Sequence, residues 1–165
     1  MTNKVKHYIK EILVFALVII IFANAMSLYK SLDLSKEPLP LTNISLLNNN
    51  KYIISNSEPT LVHFWAIWCP TCKVEASNIQ SISENYNVLT IAVKSGTNED
   101  IQKWLKENDY NFNVVNDKNG LLSSNFKIGA FPTTFIYDKN KNLVFSDVGY
   151  TSTWGLMLRM WWASL

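Results

Sequence analysis

The only two cysteines of the chain, Cys69 and Cys72, stand three positions apart in the run Trp65-Ala66-Ile67-Trp68-Cys69-Pro70-Thr71-Cys72-Lys73-Val74-Glu75. Residues i and i+3 share a helix face, so the two sulfurs can reach bonding distance without a backbone shift, and the bond can open and close. A thiol at a helix start faces unpaired backbone N–H groups and the positive end of the helix dipole, both of which favour its thiolate. Cys69 is therefore the expected nucleophile, moved from about 8.5, where a free thiol titrates, toward the roughly 3.5–7.5 range of reactive thiols. Pro70 suits the first helical turn, where a missing N–H loses no partner. Cys72 heads the stripe Cys72, Ala76, Ile79, Ile82 and Tyr86, the inward face of an amphipathic helix. Buried there, it is expected to resolve a mixed disulfide formed at its neighbour.

Two sulfurs at this spacing have other uses besides a redox pair. Structural zinc takes four ligands, and beyond the cysteines the chain offers only His7 and His63 as soft donors. An inert disulfide across so short a loop constrains the unfolded chain little. Two thiolates can also capture a soft ion such as Cu(I), which would make the chain a copper-binding or copper-protection module. Apart from the disulfide that Cys69 and Cys72 can form, no cofactor and no metal site is expected.

The elements that position this pair follow from the chain in order. Lys4, Lys6 and Lys10 precede a run from Ile12 to Met26 that is almost devoid of polar residues. Positive charge before an apolar run holds the N-terminus in the cytoplasm and sends the remainder across the membrane. Tyr8 to Leu28 approaches the ~20 residues that span a bilayer, whereas Ala23-Asn24-Ala25 has the form of a signal-peptide cleavage site. The apolar run continues past that site, which favours an uncleaved anchor over residues 1–28. Residues 29–40 gain charge and two prolines and read as a linker. Residues 41–165 then suffice for one domain with a hydrophobic core. Its charges form no basic stripe or cluster, so nucleic acid is not an expected partner.

Within the domain, Leu41–Leu47 and Lys51–Ser55 around Asn48-Asn49-Asn50 read as a hairpin. Thr60–Trp65 is apolar on both faces, as in a central strand. A helix follows to about Glu84, then a strand over Val88–Val93. Thr97 and Asp100 mark a capping box opening a helix with Ile101, Trp104 and Leu105 inward. A strand near Phe112–Val115, a turn at Asp117-Lys118-Asn119-Gly120 and helical turns over Leu121–Phe126 come next. Thr133–Tyr137 and Leu143–Asp147 read as antiparallel strands. A last helix from about Thr153 carries Trp154, Met157, Leu158, Trp161 and Leu165 on one face. This succession predicts an α/β domain, a mixed central sheet flanked by helices.

The strand ending in Phe64-Trp65-Ala66-Ile67-Trp68-Cys69, the Pro70-Thr71 dipeptide and the later Phe131-Pro132-Thr133-Thr134-Phe135 together resemble the thioredoxin-like fold. More narrowly, the chain is similar to its membrane-anchored, extracytoplasmic branch: the thiol reductants of cytochrome c maturation, the TlpA-like proteins and the suppressor-of-copper-sensitivity D group. The stretch Val148–Leu156 looks closest to the last of these. The resemblance covers nearly everything after residue 40. It implies a cis Pro132 beside the two sulfurs, with the Phe131 backbone pairing an incoming peptide segment. Trp68, Pro70, Thr71, Phe131, Pro132 and Thr133 become expected client-binding positions. Glu75 occupies the place of an acidic group in these reductants and can accept a proton from Cys72. His63 stands where thioredoxin has a buried aspartate, and is either a proton shuttle, a charge favouring thiolate, or a packed core histidine.

The expectation is thus a bacterial inner-membrane, single-pass protein disulfide oxidoreductase with its catalytic domain on the periplasmic side. It is expected to act as a reductant of protein disulfides, recharged by a transmembrane electron donor. Disulfide oxidase or isomerase activity uses the same residues and remains the alternative.

Overall fold

The computed structural model describes residues 3–40 and 43–165. Helix α1 (Asn3–Ser31) is followed by a two-stranded hairpin, β1 (Asn43–Ser45) and β2 (Lys51–Ile53). Then come β3 (Thr60–Trp65), α2 (Pro70–Ser83), β4 (Asn87–Val93), α3 (Asn98–Glu107), β5 (Asn113–Asp117) and α4 (Leu121–Asn125). Strands β6 (Thr133–Tyr137) and β7 (Leu143–Val148) and helix α5 (Thr153–Ala163) complete the chain. The first two residues of the expected hairpin strand, 41 and 42, lie outside the described residues.

Five strands form one mixed sheet in the order β5-β4-β3-β6-β7, with β3, β4 and β5 parallel and β6 and β7 antiparallel to their neighbours. The crossover helices α2 and α3 connect parallel neighbours, as parallel pairing requires. All six residues of β3 are buried, as apolar residues on both of its faces predicted. Its pleat divides the core. Leu61 and Trp65 join the cluster containing Cys72, Ile79, Ile101, Leu156 and Met160 from α2, α3 and α5. Val62 and Phe64 point the other way, toward Phe126, Phe135, Leu34 and Leu39. His63 therefore shares the α2 face of the sheet with Leu61 and Trp65. The capping box of α3 is formed as expected, Thr97 Oγ1 accepting from Asp100 N–H and Asp100 Oδ2 from Thr97 N–H.

One expectation needs correcting. The segment 29–40 is no free linker. Helix α1 continues to Ser31, Leu34 and Leu39 are buried, Ser35 N–H donates to Phe126 O, and Leu39 N–H to Lys141 O. Ser27 Oγ also accepts from Val148 N–H at 2.9 Å, so the end of α1 covers part of edge strand β7. Upstream of that junction α1 is long and apolar enough to cross a membrane, and none of its most apolar stretch is buried. Helix α5 carries Trp154, Leu158, Trp161 and Leu165 on one face, as expected; that face is solvent-exposed, and Leu156, Met160 and Ala163 on the opposite face pack inward. The helix is apolar all round, so periodicity alone could not tell its inner from its outer face.

Candidate active site

The site is built where β3 delivers the chain to α2. Cys69 is the residue capping α2, in extended conformation, with Pro70 in the first helical turn. Its Sγ accepts from the Cys72 N–H at 3.3 Å, one of the donors that a helix start leaves without an intrahelical partner. The preceding loop is held from the next crossover. Ile67 N–H donates to Ser95 Oγ at 3.2 Å, and Trp68 Nε1 donates to Lys94 O at 3.1 Å. Both cysteines are free thiols. They differ in access, Cys69 being 6% and Cys72 1% exposed.

Burial pushes the Cys72 thiol far above its ordinary range. The contact with Cys69 and the nearby charge of Glu75 raise it further. Glu75, one helical turn on, is fully buried. Desolvation lifts its carboxyl to about 8, against the pull of a hydrogen bond from Thr151 N–H to Oε1 at 3.0 Å; the charge of Asp147 adds to the rise. Glu75 Oε2 has no hydrogen-bond partner among the described residues. A carboxyl with that environment carries its proton near neutral pH and can exchange it.

Asp147 is itself raised by burial and held back by Arg159, whose Nε stands 2.9 Å from Asp147 Oδ2. His63 is 2% exposed, and its Nδ1 lies 2.9 Å from Thr134 Oγ1 on the paired strand β6. Burial lowers its pKa to about 3. The imidazole is therefore neutral at physiological pH, which removes the reading in which its positive charge favours a thiolate.

The Phe131–Pro132 peptide bond is cis. Phe131 stands just outside the β6 ladder, its ring 5.6 Å from that of Trp68 and nearly perpendicular to it. Trp68, Pro70 and Thr71 are exposed, and an open groove of about 320 Å³ runs between Pro70, Thr71, Val74 and Tyr150. Thr133 does not belong to that surface. It is fully buried and its Oγ1 donates to Ala130 O at 2.8 Å, so it holds the loop in place and is not exposed to a client. Pro132 is buried too, its carbonyl accepting from Gly149 N–H at 2.8 Å. Gly149 has φ of +101°, a conformation that favours glycine, and the turn it makes directs the chain to Tyr150 and Thr151.

Several of these residues carry no local signal. Val74 and Tyr150 look like ordinary surface residues, and the Thr151 N–H acts through the backbone alone. Arg159 carries the one signal that could have marked it, being the only arginine of the chain and set within an apolar helix. Among the described residues no three His, Cys, Asp or Glu side chains come together as a metal site would need.

With this geometry in place, comparison with known proteins gives the class. The AhpC/TSA family pattern matches residues 39–146. A thioredoxin-like protein of Haemophilus influenzae is 31% identical over 164 residues, covering 97% of both chains. The thiol-disulfide oxidoreductase ResA of Oceanobacillus iheyensis is 36% identical over 84 residues, 48% of this chain and 44% of that protein. Among solved structures, a thiol:disulfide interchange protein DsbE from Chlorobium tepidum superposes with a TM-score of 0.69 at 19% identity, over 79% of this chain and 97% of that one. The chain belongs to the AhpC/TSA family, with a thioredoxin-like fold, and is a thiol-disulfide oxidoreductase.

Proposed function

We propose that the chain reduces protein disulfides outside the cytoplasm of a bacterium, held to the inner membrane by α1, with Cys69 as nucleophile and Cys72 as resolving thiol. Cys69 attacks one sulfur of a client disulfide, forming a mixed disulfide and releasing the other client sulfur as a thiolate that takes up a proton. Glu75, in its carboxylate form, removes the proton from Cys72. The Cys72 thiolate then attacks Cys69, the second client sulfur leaves and is protonated, and the enzyme holds a Cys69–Cys72 disulfide. Two electrons and two protons have passed to the client. The pair is then restored by another dithiol, which for a site beyond the membrane is a transmembrane donor.

The observation that carries this reading is the shielded Cys72 thiol beside the protonated Glu75. Strongly oxidising pairs owe their potential to a stabilised reduced form, and at Cys72 burial disfavours the thiolate. A carboxyl titrating at about 8 sits close to neutral pH, where a proton acceptor is most effective. Trp68, Phe131 and the groove at Val74 and Tyr150 supply an apolar contact surface for the client, and the Phe131 backbone is placed to pair with it. His63 supports the sheet under this site through Thr134.

The roles are tested by trapping. Cys72→Ser should accumulate a mixed disulfide with a model client such as insulin, and Cys69→Ser should neither turn over nor trap. Equal, partial losses in the two variants would refute the assignment.

A further inference from the structure

Helix α5 leaves one face uncovered. Trp154, Leu158, Trp161 and Leu165 recur at steps of four, three and four, with Trp162 on their flank, and all five are more than half exposed. Tyr86, from the end of α2, joins them across an open groove of about 400 Å³ that Met157 and Asn85 also line. No charged residue lies on this arc. Arg159, the only charge on α5, is turned to Asp147. A contiguous exposed apolar face on a domain usually has an occupant.

Its position relative to α1 says which. The apolar run of α1 ends at Met26, and the next residue, Ser27, accepts the hydrogen bond from Val148 N–H at 2.9 Å. The segment after α1 is docked on the domain through Leu34 and Leu39, so no flexible tether separates the two. From Val148 to the start of α5 at Thr153 the backbone spans at most about 18 Å. The first turn of α5 is thus held within that distance of the point where the apolar run of α1 ends. Tryptophan is the side chain that membrane–water interfaces favour, and three of the six tryptophans are on this helix.

We propose that the exposed face of α5 lies in the interfacial layer of the same membrane that α1 crosses, seating the catalytic domain on the lipid surface. This rests on α1 being an anchor. Asn78 of α2 ties the two helices together, donating to Thr151 O at 3.0 Å and accepting from Thr153 Oγ1 at 2.9 Å. Tyr150, on the rim of the groove beside Cys69, is four residues before Trp154. Seating α5 on lipid therefore orients that rim toward the membrane, where the dithiol of a membrane-embedded donor can meet Cys69.

The chain supplies its own reporter, because α1 and the segment up to residue 40 contain no tryptophan. The full chain is reconstituted in phosphatidylcholine vesicles whose acyl chains are brominated near the headgroup, and tryptophan emission is compared with that in unbrominated vesicles. Roughly half of the emission should be lost, since three of six tryptophans would lie in the interface. Salt should not reverse the loss, as no charge on the arc takes part. Trp154→Phe, Trp161→Phe and Trp162→Phe combined should abolish it with disulfide turnover intact. The pair Leu158→Glu and Trp161→Glu should release the remaining tryptophans from the quencher while the chain still floats with vesicles. A chain that floats but is not quenched would overturn the proposal and leave the anchor standing. Cross-links between α5 helices of two chains without quenching would overturn it in favour of a second copy. Quenching that persists in either combined variant would overturn it as well. A chain that fails to float would overturn the anchor and this inference together.

Discussion

Glu75→Gln separates the buried-acid account from a merely structural one. The Glu75 carboxyl titrates at about 8 in the folded protein against an ordinary value of 4.5. The folded state therefore binds this proton more tightly than the unfolded state does. The resulting stabilisation is complete below pH 4.5 and is lost as pH rises through 8. At 1.36 kcal/mol per pKa unit, the wild-type chain gives up about 3 kcal/mol between pH 4 and 7 and about 5 kcal/mol by pH 9 through this one group. Glutamine keeps an oxygen for the Thr151 N–H and cannot ionise. The variant carries a fixed offset from its added N–H₂ and no such slope. The assay is denaturant unfolding of both reduced chains in detergent micelles at several pH values, followed by tryptophan emission. Taking the difference between the two cancels the cysteines. A wild-type-minus-variant stability that falls by several kcal/mol across that range is the expected result. Parallel curves would mean that Glu75 titrates in the fold as it does in the unfolded chain, and its carboxylate would be too weak a base to take the proton from Cys72 near neutral pH.

Other consequences follow from the same interior. His63, lowered to about 3 from 6.5, is neutral in the fold and protonated in the unfolded chain between those values. Its contribution is present above pH 6.5 and lost on acidification, by about 2 kcal/mol at pH 5. The wild-type-minus-His63→Gln difference should show that loss, and a flat difference would contradict a buried neutral imidazole. Arg159→Met strands Asp147, whose side chain is only 16% exposed. It should destabilise by about 2 kcal/mol at neutral pH, less than the 3–5 of a fully buried pair, and by less in acid. Asp147→Asn combined with Arg159→Met should lose less than the sum of the single changes, and strict additivity would deny the pair.

Much of this was readable in the chain because the signals were local. The apolar residues on both faces of β3, the stripe from Cys72 to Ile82 on α2 and the Thr97–Asp100 box each follow from spacing within a few residues. Leu34 and Leu39 gave no such signal, standing alone among charged residues and prolines, and only the packed sheet shows them docked. On α5 the stripe was legible but not which way it faces, because both faces are apolar. The surroundings of Glu75 were beyond any pattern: its partner is a backbone N–H at Thr151, brought to it by the turn at Gly149, and Asp147 and Arg159 arrive on two further elements. Thr133 was expected at the client surface because it follows Pro132, yet β6 is buried along its whole length and Thr133 with it.

The most direct test of the proposed exchange cycle is the alkylation of the reduced full chain by iodoacetamide, with the modified residue identified by mass spectrometry over time and pH. Cys69 is expected to label while Cys72 stays intact through neutral pH, reacting only in strong alkali or after unfolding. Matching rates and matching pH profiles for the two thiols would contradict it.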